Sequence, residues 1–434
     1  VRQLIAKKAD VNAPQPDGAT ALHWAAFRDD LALTTLLVGA GADANARNDY
    51  GVTPLSLAAS QASPAVVTAL LKAGADAAAT LPSGETPLMT AAHAGKAGTI
   101  GVLLEHKATV DAKERAKGQT ALMWAVSAGH LDAARALLDG GADANAASAS
   151  GFTPLMFAAR AGVPALADLL LVRGARINAA AGDGATALHV AVVRGHVDLA
   201  LFLLARGADP NADGNGFTPL HWASGRFEGQ MTFDYSTKGE GEWAALVGVP
   251  PARRVELVQA LLAHKANPNA RLTKNPPRFG TNLWMKKLVG ATPFLLAAQS
   301  ADLPVMKALL AGGADPMLNT EEQASPLMFA AGFGRVPGES RVTEEAALEA
   351  VEFCRQLGMD VRQAEAGGDT ALHAIAFYGW VKVGQWLLDH GADINARNKK
   401  GETALRVSQG TVVANMLHTE PKVEEMLRKN GAAD

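Results

Sequence analysis

The chain has 434 residues with a formal net charge of −3 at pH 7, and 48% of the residues are hydrophobic while only 5% are aromatic. This small negative charge argues against general affinity for nucleic acid, whose phosphates attract basic proteins. No apolar run approaches the roughly 20 residues that a membrane-spanning helix needs. Cys354 is the only cysteine, which excludes intrachain disulfides and Cys-rich metal sites. We expect it to be a small buried hydrophobic residue.

A short motif of Gly, Thr and Leu recurs about every 33 residues along almost the whole chain. The first copy is Gly18-Ala-Thr20-Ala-Leu22, and a degenerate copy reads Gln323-Ala-Ser325-Pro-Leu327. The copies begin at Gly18, Gly51, Gly84, Gly118, Gly151, Gly184, Gly216, Gly290, Gln323, Gly368 and Gly401. Eleven copies predict a stack of similar small units rather than one globular core.

The segment 184–211 shows what one unit predicts. Thr186 lies where a first helix would begin, and its hydroxyl can accept a hydrogen bond from a free N–H of the first turn. Gly195 permits a tight turn before a second apolar helix, and Gly207 ends that helix in a left-handed conformation. Neither helix would exceed about ten residues, so neither would persist alone in water. The helices must therefore bury their apolar faces against neighbouring units.

This pattern resembles the ankyrin repeat. The segments Thr20-Ala-Leu-His23-Trp-Ala-Ala26, Thr218-Pro-Leu-His221-Trp-Ala223 and Gly391-Ala-Asp-Ile-Asn-Ala396 match the family motif. The resemblance implies an all-α fold, an ankyrin-repeat solenoid of stacked helix–turn–helix units with hairpin fingers between them. It also implies a concave face formed by the inner helices and fingers. The family mostly binds other macromolecules, and most of its members catalyse nothing.

The repeat spacing divides the chain into five expected segments. These are the second half of an incomplete N-terminal repeat (1–17), six regular repeats (18–215), a repeat with two large insertions (216–289), three further repeats (290–400) and a C-terminal capping repeat (401–434).

Three insertions interrupt the repeat. The first, roughly 227–250, is rich in aromatic residues, the second, roughly 272–289, interleaves basic and aromatic residues, and the third, roughly 334–345, is polar. Long loops in a compact array are candidate functional segments. The aromatic side chains of the first insertion either pack on the flank of the solenoid or contact a partner. The basic side chains of the second either hold an acidic partner, a phosphate or a single strand, or are simply solvated.

The ankyrin resemblance places finger tips, and the positions that follow the inner helix's Ala-Ala pair, in the binding groove. Aromatic and arginine side chains are the usual anchors of protein interfaces. Applied to the groove and the insertions, this predicts a partner-binding set of Phe27, Arg28, Tyr50, Phe152, Arg160, Phe217, Arg226, Tyr235, Trp243, Arg278, Trp284, Phe333, Phe377, Tyr378 and Trp380. The competing interpretation is that some of these rings only seal gaps between repeats.

Histidine recurs in the motif at His23, His189, His221 and His373. These residues lie one repeat apart, too far to share a metal ion. We expect each to bond to the motif Thr and to the backbone of the adjoining finger. The sequence contains no phosphate loop, nucleophile elbow or zinc-protease motif. We therefore predict no catalytic residue, no metal and no cofactor.

The sequence favours a non-catalytic protein–protein interaction scaffold, or a stable subunit of a larger complex. Its protein partner would bind the concave groove and the insertions of the C-terminal third. One alternative is self-assembly through the ends of the solenoid. Another is an enzyme with a pocket between the insertions, for which Asp234, Tyr235, His264 and Lys265 are the candidate acids and bases. The identity of the partner and the cellular compartment are not encoded in a readable pattern.

Overall fold

A computed structural model of the chain describes residues 1–61, 63–225, 248–275, 288–335, 342–413 and 416–433, with the backbone alone for residues 411–413 and 416–418. The chain forms two compact units, Val1–Gly182 and Asp183–Asp434. Regular structure in the described residues of both units is almost entirely helical. None of the described helices is both long and apolar enough to cross a bilayer.

Helix pairs build the first unit, and each repeat contributes a first helix that follows its motif Thr and then a second helix. The first helices are α2 (Ala21–Phe27), α4 (Pro54–Gln61), α6 (Pro87–His93), α8 (Ala121–Ser127) and α10 (Pro154–Ala161). The second helices are α1 (Arg2–Ala6), α3 (Leu31–Gly39), α5 (Pro64–Lys72), α7 (Ala97–Glu105), α9 (Leu131–Asp139) and α11 (Pro164–Val172). Each of these first helices packs against the next one along the chain, as the motif spacing predicts.

The second unit repeats the arrangement. Its first helices are α12 (Ala187–Val193), α14 (Pro219–Ser224), α16 (Pro293–Gln299), α18 (Pro326–Ala330), α20 (Ala371–Tyr378) and α22 (Ala404–Gln409). Its second helices are α13 (Val197–Ala205), α15 (Arg254–Ala263), α17 (Leu303–Ala311), α19 (Glu344–Gln356), α21 (Val381–Asp389) and α23 (Pro421–Lys429). A 3-10 turn, Pro251–Arg253, precedes α15. The all-α ankyrin-type fold predicted from the motif is thus confirmed.

One element lies outside that prediction. Strands β1 (Thr411–Val413) and β2 (Met416–His418) pair antiparallel between α22 and α23 in the last repeat. The other repeats place a tight turn or an insertion at this point. The sequence analysis identified no strand here, because the segment is too short for an alternating pattern to stand out.

The helix starts follow the local chemistry of the motif. Thr86 accepts a hydrogen bond at its hydroxyl from the backbone N–H of Met89 (3.2 Å), and Pro87 occupies the first helical position. Ser325 of the degenerate copy caps α18 in the same way through the N–H of Met328 (3.4 Å). Because the cap needs only a hydroxyl, the degenerate repeat keeps its first helix.

An asparagine in the turn after the second helix ties one repeat to the next. Asn45 donates from Nδ2 to the Gly74 carbonyl (2.8 Å), and its Oδ1 accepts from the backbone N–H of Asp76 (2.8 Å). The same pair of bonds recurs at Asn12, Asn145, Asn211 and Asn269. Each bond spans neighbouring repeats, so it stabilises the stack rather than one unit.

Cys354 lies in α19 and is buried, as expected for a small hydrophobic residue. Burial raises the pKa of its thiol to about 12, because a thiolate would lose its solvation there. The side chain is therefore a neutral thiol at physiological pH, and it contributes packing rather than reactivity.

A finger glycine provides the first test of the stacking. Gly184 has φ +86°, and a Cβ atom there would lie 2.4 Å from the carbonyl oxygen of Asp213 in the next finger. Gly207 has a similar φ of +91° but open space where a Cβ would be. Gly207→Ala should cost about 1–2 kcal/mol of stability from the left-handed backbone alone. Gly184→Ala should cost about 1–3 kcal/mol more, because the two fingers must separate.

Urea denaturation of both variants measures that difference. Equal loss of stability in Gly184→Ala and Gly207→Ala would show that the fingers do not approach one another as closely as described.

Candidate partner-binding surface

The motif histidines are part of the framework. The backbone N–H of Thr20 donates to Nδ1 of His23 (3.0 Å), so Nδ1 carries no proton and Nε2–H donates to the Val52 carbonyl in the next finger (3.0 Å). The same geometry recurs at His189, His221 and His373. This confirms the predicted bonds to the motif Thr and to the adjoining finger. Both ring nitrogens are occupied in this way, so these side chains are not available to a ligand.

Burial makes two of these rings hard to protonate. Loss of solvation lowers the pKa of His221 from 6.5 to about 4, and the pKa of His189 is lowered for the same reason. Both imidazoles are therefore neutral at pH 7. Within the described ranges, no group of three or more His, Cys, Asp or Glu side chains is placed to hold a metal ion.

Exposed aromatic side chains mark the face of α2 and the finger that follows it. Trp24 is 42% exposed, Phe27 46% and Tyr50 72%. Exposure of such large rings to water is unfavourable, so their clustering on a surface indicates an interaction site. Trp24 and Phe27 meet edge to face with ring centroids 6.2 Å apart, and the Arg28 guanidinium lies 6.0 Å from the Trp24 ring centre. We call Trp24, Phe27, Arg28 and Tyr50 the aromatic patch.

Hydrogen bonds hold the patch in place. The indole N–H of Trp24 donates to Oε1 of Gln15 in the first finger (3.0 Å). The second finger, which carries Tyr50, is bonded to the first through the Asp49 N–H and the Asp17 carbonyl (2.9 Å). The aromatic side chains therefore project from a backbone fixed by neighbouring fingers, which limits the entropy that binding would remove.

The same face continues along the next first helices of this unit. His93 on α6 and Trp124 on α8 meet edge to face at 5.7 Å. Arg160 on α10 donates to the Ser127 hydroxyl of α8 (2.9 Å), and its guanidinium lies 4.7 Å from the Phe157 ring centre. These contacts join side chains of α6, α8 and α10, so the face is continuous across these three repeats of the first unit.

Four predicted partner-contacting rings are instead buried. Phe152, Phe217, Phe333 and Trp380 are only 2%, 1%, 3% and 8% exposed. Phe152 packs on Phe157, Phe217 on Trp222, Phe333 on Phe329 and Trp380 under the Arg335 guanidinium. These rings seal the repeats, so their assignment to a partner surface is wrong for this conformation.

The other predicted site residues divide in three ways. Phe27, Arg28 and Tyr50 are exposed. Arg160, Phe377 and Tyr378 are half-buried, and Tyr378 also packs against Trp380. Arg226, Tyr235, Trp243, Arg278 and Trp284 lie outside the described residues. Trp24 was absent from the predicted set, because the sequence analysis treated its position as part of the repeat signature.

Stacked helix pairs of about 33 residues, first helices capped by Thr and His, and fingers bonded in register define an ankyrin-type repeat protein. The family model described as three copies of the ankyrin repeat matches residues 1–80, 63–148 and 155–230. A single-repeat model matches residues 289–321 and 367–399. The chain belongs to the ankyrin repeat family. Ankyrin repeats generally mediate protein–protein interaction, and the fold is typically non-enzymatic.

Several proteins share part of the array. An ankyrin repeat domain-containing protein of monkeypox virus, OPG015, is 36% identical over 75 residues, which are 17% of this chain and 17% of that protein. The human mitochondrial disaggregase is 29% identical over 225 residues, covering 46% of this chain and 29% of that protein. The chain thus spans less than a third of the length of either relative. The crystal structure of the ankyrin repeat domain of Bcl-3 is 32% identical, with a TM-score of 0.43, and covers 47% of this chain and 93% of that domain.

Proposed function

We propose that this chain is a non-catalytic scaffold that binds a protein partner through the first-helix and finger face of its first unit. The observation that carries this proposal is the aromatic patch. Only 5% of the residues are aromatic, yet three large rings and an arginine are exposed on two consecutive repeats, and Trp24, Phe27 and Arg28 contact one another. Exposed aromatic and arginine clusters are the usual anchors of protein interfaces.

The fold itself does not require these rings. The position of Trp24 is occupied by Leu57 and Thr90 in the next two repeats, and that of Phe27 by Ser60. All these positions lie at the same place on first helices that pack alike. The position of Trp24 also holds Trp124 and Trp222 in later repeats, so the stack accepts aliphatic, hydroxyl and aromatic side chains there. The exposure of the patch rings is therefore better explained by binding than by stability.

Two of the candidate acids and bases, His264 and Lys265, make contacts that support a structural role instead. His264 donates from Nδ1 to the Ala260 carbonyl at the end of α15 (2.9 Å), and Lys265 adopts φ +70° in the turn that follows. His106 and Lys107 repeat both features after α7. The pair is therefore a way of ending a second helix. Asp234 and Tyr235, the other two candidates, lie outside the described residues.

An open cavity of about 610 Å³ in the second unit offers little chemistry. Arg271, residues 317–321 and Gln323 line it. The Arg271 guanidinium already donates to the carbonyls of Gly290 (2.7 Å) and Asn319 (2.7 Å). These two bonds hold neighbouring fingers together, which supports a structural role for this arginine. The insertions at 227–250 and 272–289 remain a proposed extension of the partner surface.

Site-specific photo-crosslinking tests the proposal. A benzoylphenylalanine residue placed at position 27 or 50 should crosslink a protein partner in cells of the native source, because both side chains project from the proposed face. The matched control is position 172 on α11, where Val172 is 70% exposed on a second helix of the same unit. We expect crosslinked partner at positions 27 and 50 and at least about tenfold less at position 172, as for a contact confined to one face.

Two outcomes would contradict the proposed protein-binding face. Equal crosslinking at all three positions would mean that no specific face exists. Crosslinks only between copies of this chain would favour the alternative of self-assembly.

A further inference from the structure

In the first unit, the finger at residues 113–119 has exposed basic side chains and a buried acidic one. Lys113, Arg115 and Lys117 are all exposed, whereas Glu114 is only 7% exposed. Three cations against one buried carboxylate give this finger a positive outer surface. We call it the basic finger.

The carboxylate of Glu114 accepts its hydrogen bonds from backbone N–H groups of the same turn. Its Oε2 accepts from the backbone N–H of Ala116 (2.6 Å), and its Oε1 accepts from those of Lys117 (2.9 Å) and Gln119 (2.8 Å). In the second finger an amide does the same work, since Oδ1 of Asn48 accepts from two backbone N–H groups. The turn needs an acceptor and not a charge. Glu114 offsets one of the three positive charges but makes its hydrogen bonds to the backbone and not to the cations, so the finger keeps a net charge of about +2 at its surface.

The cations are held without carboxylate partners. Lys113 donates from Nζ to the Ala147 carbonyl (2.6 Å), and Arg115 donates from Nη1 to the Pro82 carbonyl (3.2 Å). Throughout the described part of the chain, no acidic side chain forms an ion pair with Lys113, Arg115 or Lys117. Carbonyl contacts position the positive charges but do not neutralise them, so the charges remain available to an anion.

Backbone bonds fix the basic finger between its neighbours. The Arg115 N–H donates to the Ser83 carbonyl (2.9 Å) in the preceding finger, and the Ala149 N–H donates to the Lys117 carbonyl (2.8 Å). The following finger, residues 147–152, carries no charge, and the preceding one carries a single half-buried acid, Glu85. The positive surface is therefore rigid. Asp111 and Asp143 lie in the turns that lead into these two fingers, outside the segments 113–119 and 147–152.

The first helices beside these fingers add no acid. The segments of α6, α8 and α10 contain no Asp or Glu, and they present His93, Ser127 and Arg160 on the face that they share. An anionic segment lying across this face would meet cations and neutral polar groups only. Like-charge contacts, which would disfavour an acidic partner, are missing from these three described helices.

We infer that the basic finger receives an acidic polypeptide segment of the protein partner, an inference that rests on the proposed function. The partner's Asp or Glu side chains would pair with Arg115 and Lys117, and its apolar side chains would contact the adjoining first helices. A polypeptide is favoured over nucleic acid because the exposed cations are confined to one finger in a chain of net charge −3, whereas nucleic acid is bound by extended basic surfaces. Steering by these charges should make association depend on salt.

Fluorescence anisotropy with designed peptides tests this inference on the full chain. The probe is a fluorescein-labelled peptide of alternating Glu and Leu, compared with the same peptide carrying Lys in place of Glu. We expect the acidic peptide to bind at about 0.1 M salt and to weaken at least about tenfold at about 1 M salt, where the screening length falls to about 3 Å. Equal binding of the Lys peptide would overturn the inference.

Charge variants locate the contact. The double variant Arg115→Glu with Lys117→Glu should weaken binding at least about tenfold. The matched control is Lys72→Glu with Arg135→Glu, which makes the same charge change at exposed positions of second helices in the same unit and should change affinity less than about twofold. Equal losses in the two double variants would show that only net charge matters and would overturn the inference.

A third variant acts in the opposite direction. Glu114→Gln keeps one acceptor oxygen for the N–H groups of Lys117 and Gln119, gives up the acceptor for Ala116, and removes the one negative charge of the finger. Affinity for the acidic peptide should therefore rise about two- to threefold. Unchanged or weaker binding, with the fold intact by circular dichroism, counts against the inference. So does preferential binding of a single-stranded oligothymidylate, which would assign the finger to nucleic acid.

The inference and the proposed function can fail separately. A partner crosslinked at positions 27 and 50 whose binding survives the Arg115 and Lys117 reversals would overturn the acidic segment and leave the scaffold role. Absence of face-specific crosslinks would overturn the scaffold role itself.

Discussion

Replacing Leu170 with alanine should lower the free energy of unfolding of the first unit by about 2–5 kcal/mol. Leu170 lies on α11 and is completely buried, so the smaller side chain removes apolar contacts and leaves a cavity. A helix of nine residues has too little intrinsic stability to form alone. Its stability comes from its neighbours, and a cavity between α11 and the helices packed on it is felt along the stack.

Val172→Ala is the matched control on the same helix. Val172 is two residues further along and 70% exposed, so its truncation should change stability by no more than about 0.5 kcal/mol. Urea denaturation followed by far-ultraviolet circular dichroism compares the two variants. If Leu170→Ala shifted the transition no more than Val172→Ala, burial of second helices would not be what holds the stack together.

The helix starts could be predicted because the determinants lie within four residues. A Thr or Ser hydroxyl, a Pro at the first helical position and a His three residues after the cap are all local features of the motif. The same locality explains why the His23 bonds were predicted: its Thr20 contact is fixed by the helix, and its Val52 contact by the repeat spacing. Local rules repeated at fixed intervals specify the framework almost completely.

The sequence of a single repeat does not show whether an aromatic side chain of a finger is buried or exposed. Phe152 and Phe217 occupy the finger position that holds the half-buried Val52 in the second repeat. Each is buried because the following first helix offers an aromatic partner, Phe157 at 6.0 Å or Trp222 at 4.8 Å. The signal was present as a pair, a finger Phe followed five residues later by another ring. This pair of rings is not recognised when each position is considered alone.

Exposure on the first-helix face depends on the neighbouring repeat. Trp24 and Trp124 occupy the same motif position, yet Trp24 is exposed and Trp124 is half-buried. His93 of the preceding repeat packs edge to face on Trp124, whereas Trp24 packs on Phe27 of its own repeat. The motif fixes the backbone position of the side chain but not the neighbouring side chains that pack on it. Sequence analysis therefore predicted Phe27, Arg28 and Tyr50 as partner contacts and omitted Trp24, which is also exposed.

Lowering the pH from 7 to 4 should destabilise the second unit through His221. Its pKa falls from 6.5 in the unfolded chain to about 4 in the folded one, mainly because the ring is buried. Between these values the unfolded chain binds a proton that the folded chain does not accept, so stability rises with pH. The contribution is complete above pH 6.5 and is lost progressively as the pH falls toward 4. Its size is about 3 kcal/mol, and His189, whose pKa is also lowered, adds to it.

The hydrogen bonds give this pH dependence a second cause. The Thr218 N–H donates to Nδ1 of His221 (3.1 Å), while Nε2–H donates to the Ala270 carbonyl (3.0 Å). A proton on Nδ1 would set two N–H donors against each other and remove the His221 half of the capping box at the start of α14. Protonation thus opposes both the burial of the ring and the bond that begins the helix.

His221→Gln separates this mechanism from general acid destabilisation. A glutamine three residues after a Thr cap can still complete a capping box, but it does not titrate, so the loss of stability between pH 7 and 4 should shrink by about 3 kcal/mol. His264→Gln, at the exposed end of α15, removes a histidine from the same unit and should leave the pH dependence in place. Urea denaturation of both variants at several pH values measures the difference. If the His221→Gln protein lost as much stability on acidification as the unsubstituted chain, the carboxylates of the unit would be responsible instead of the buried imidazole.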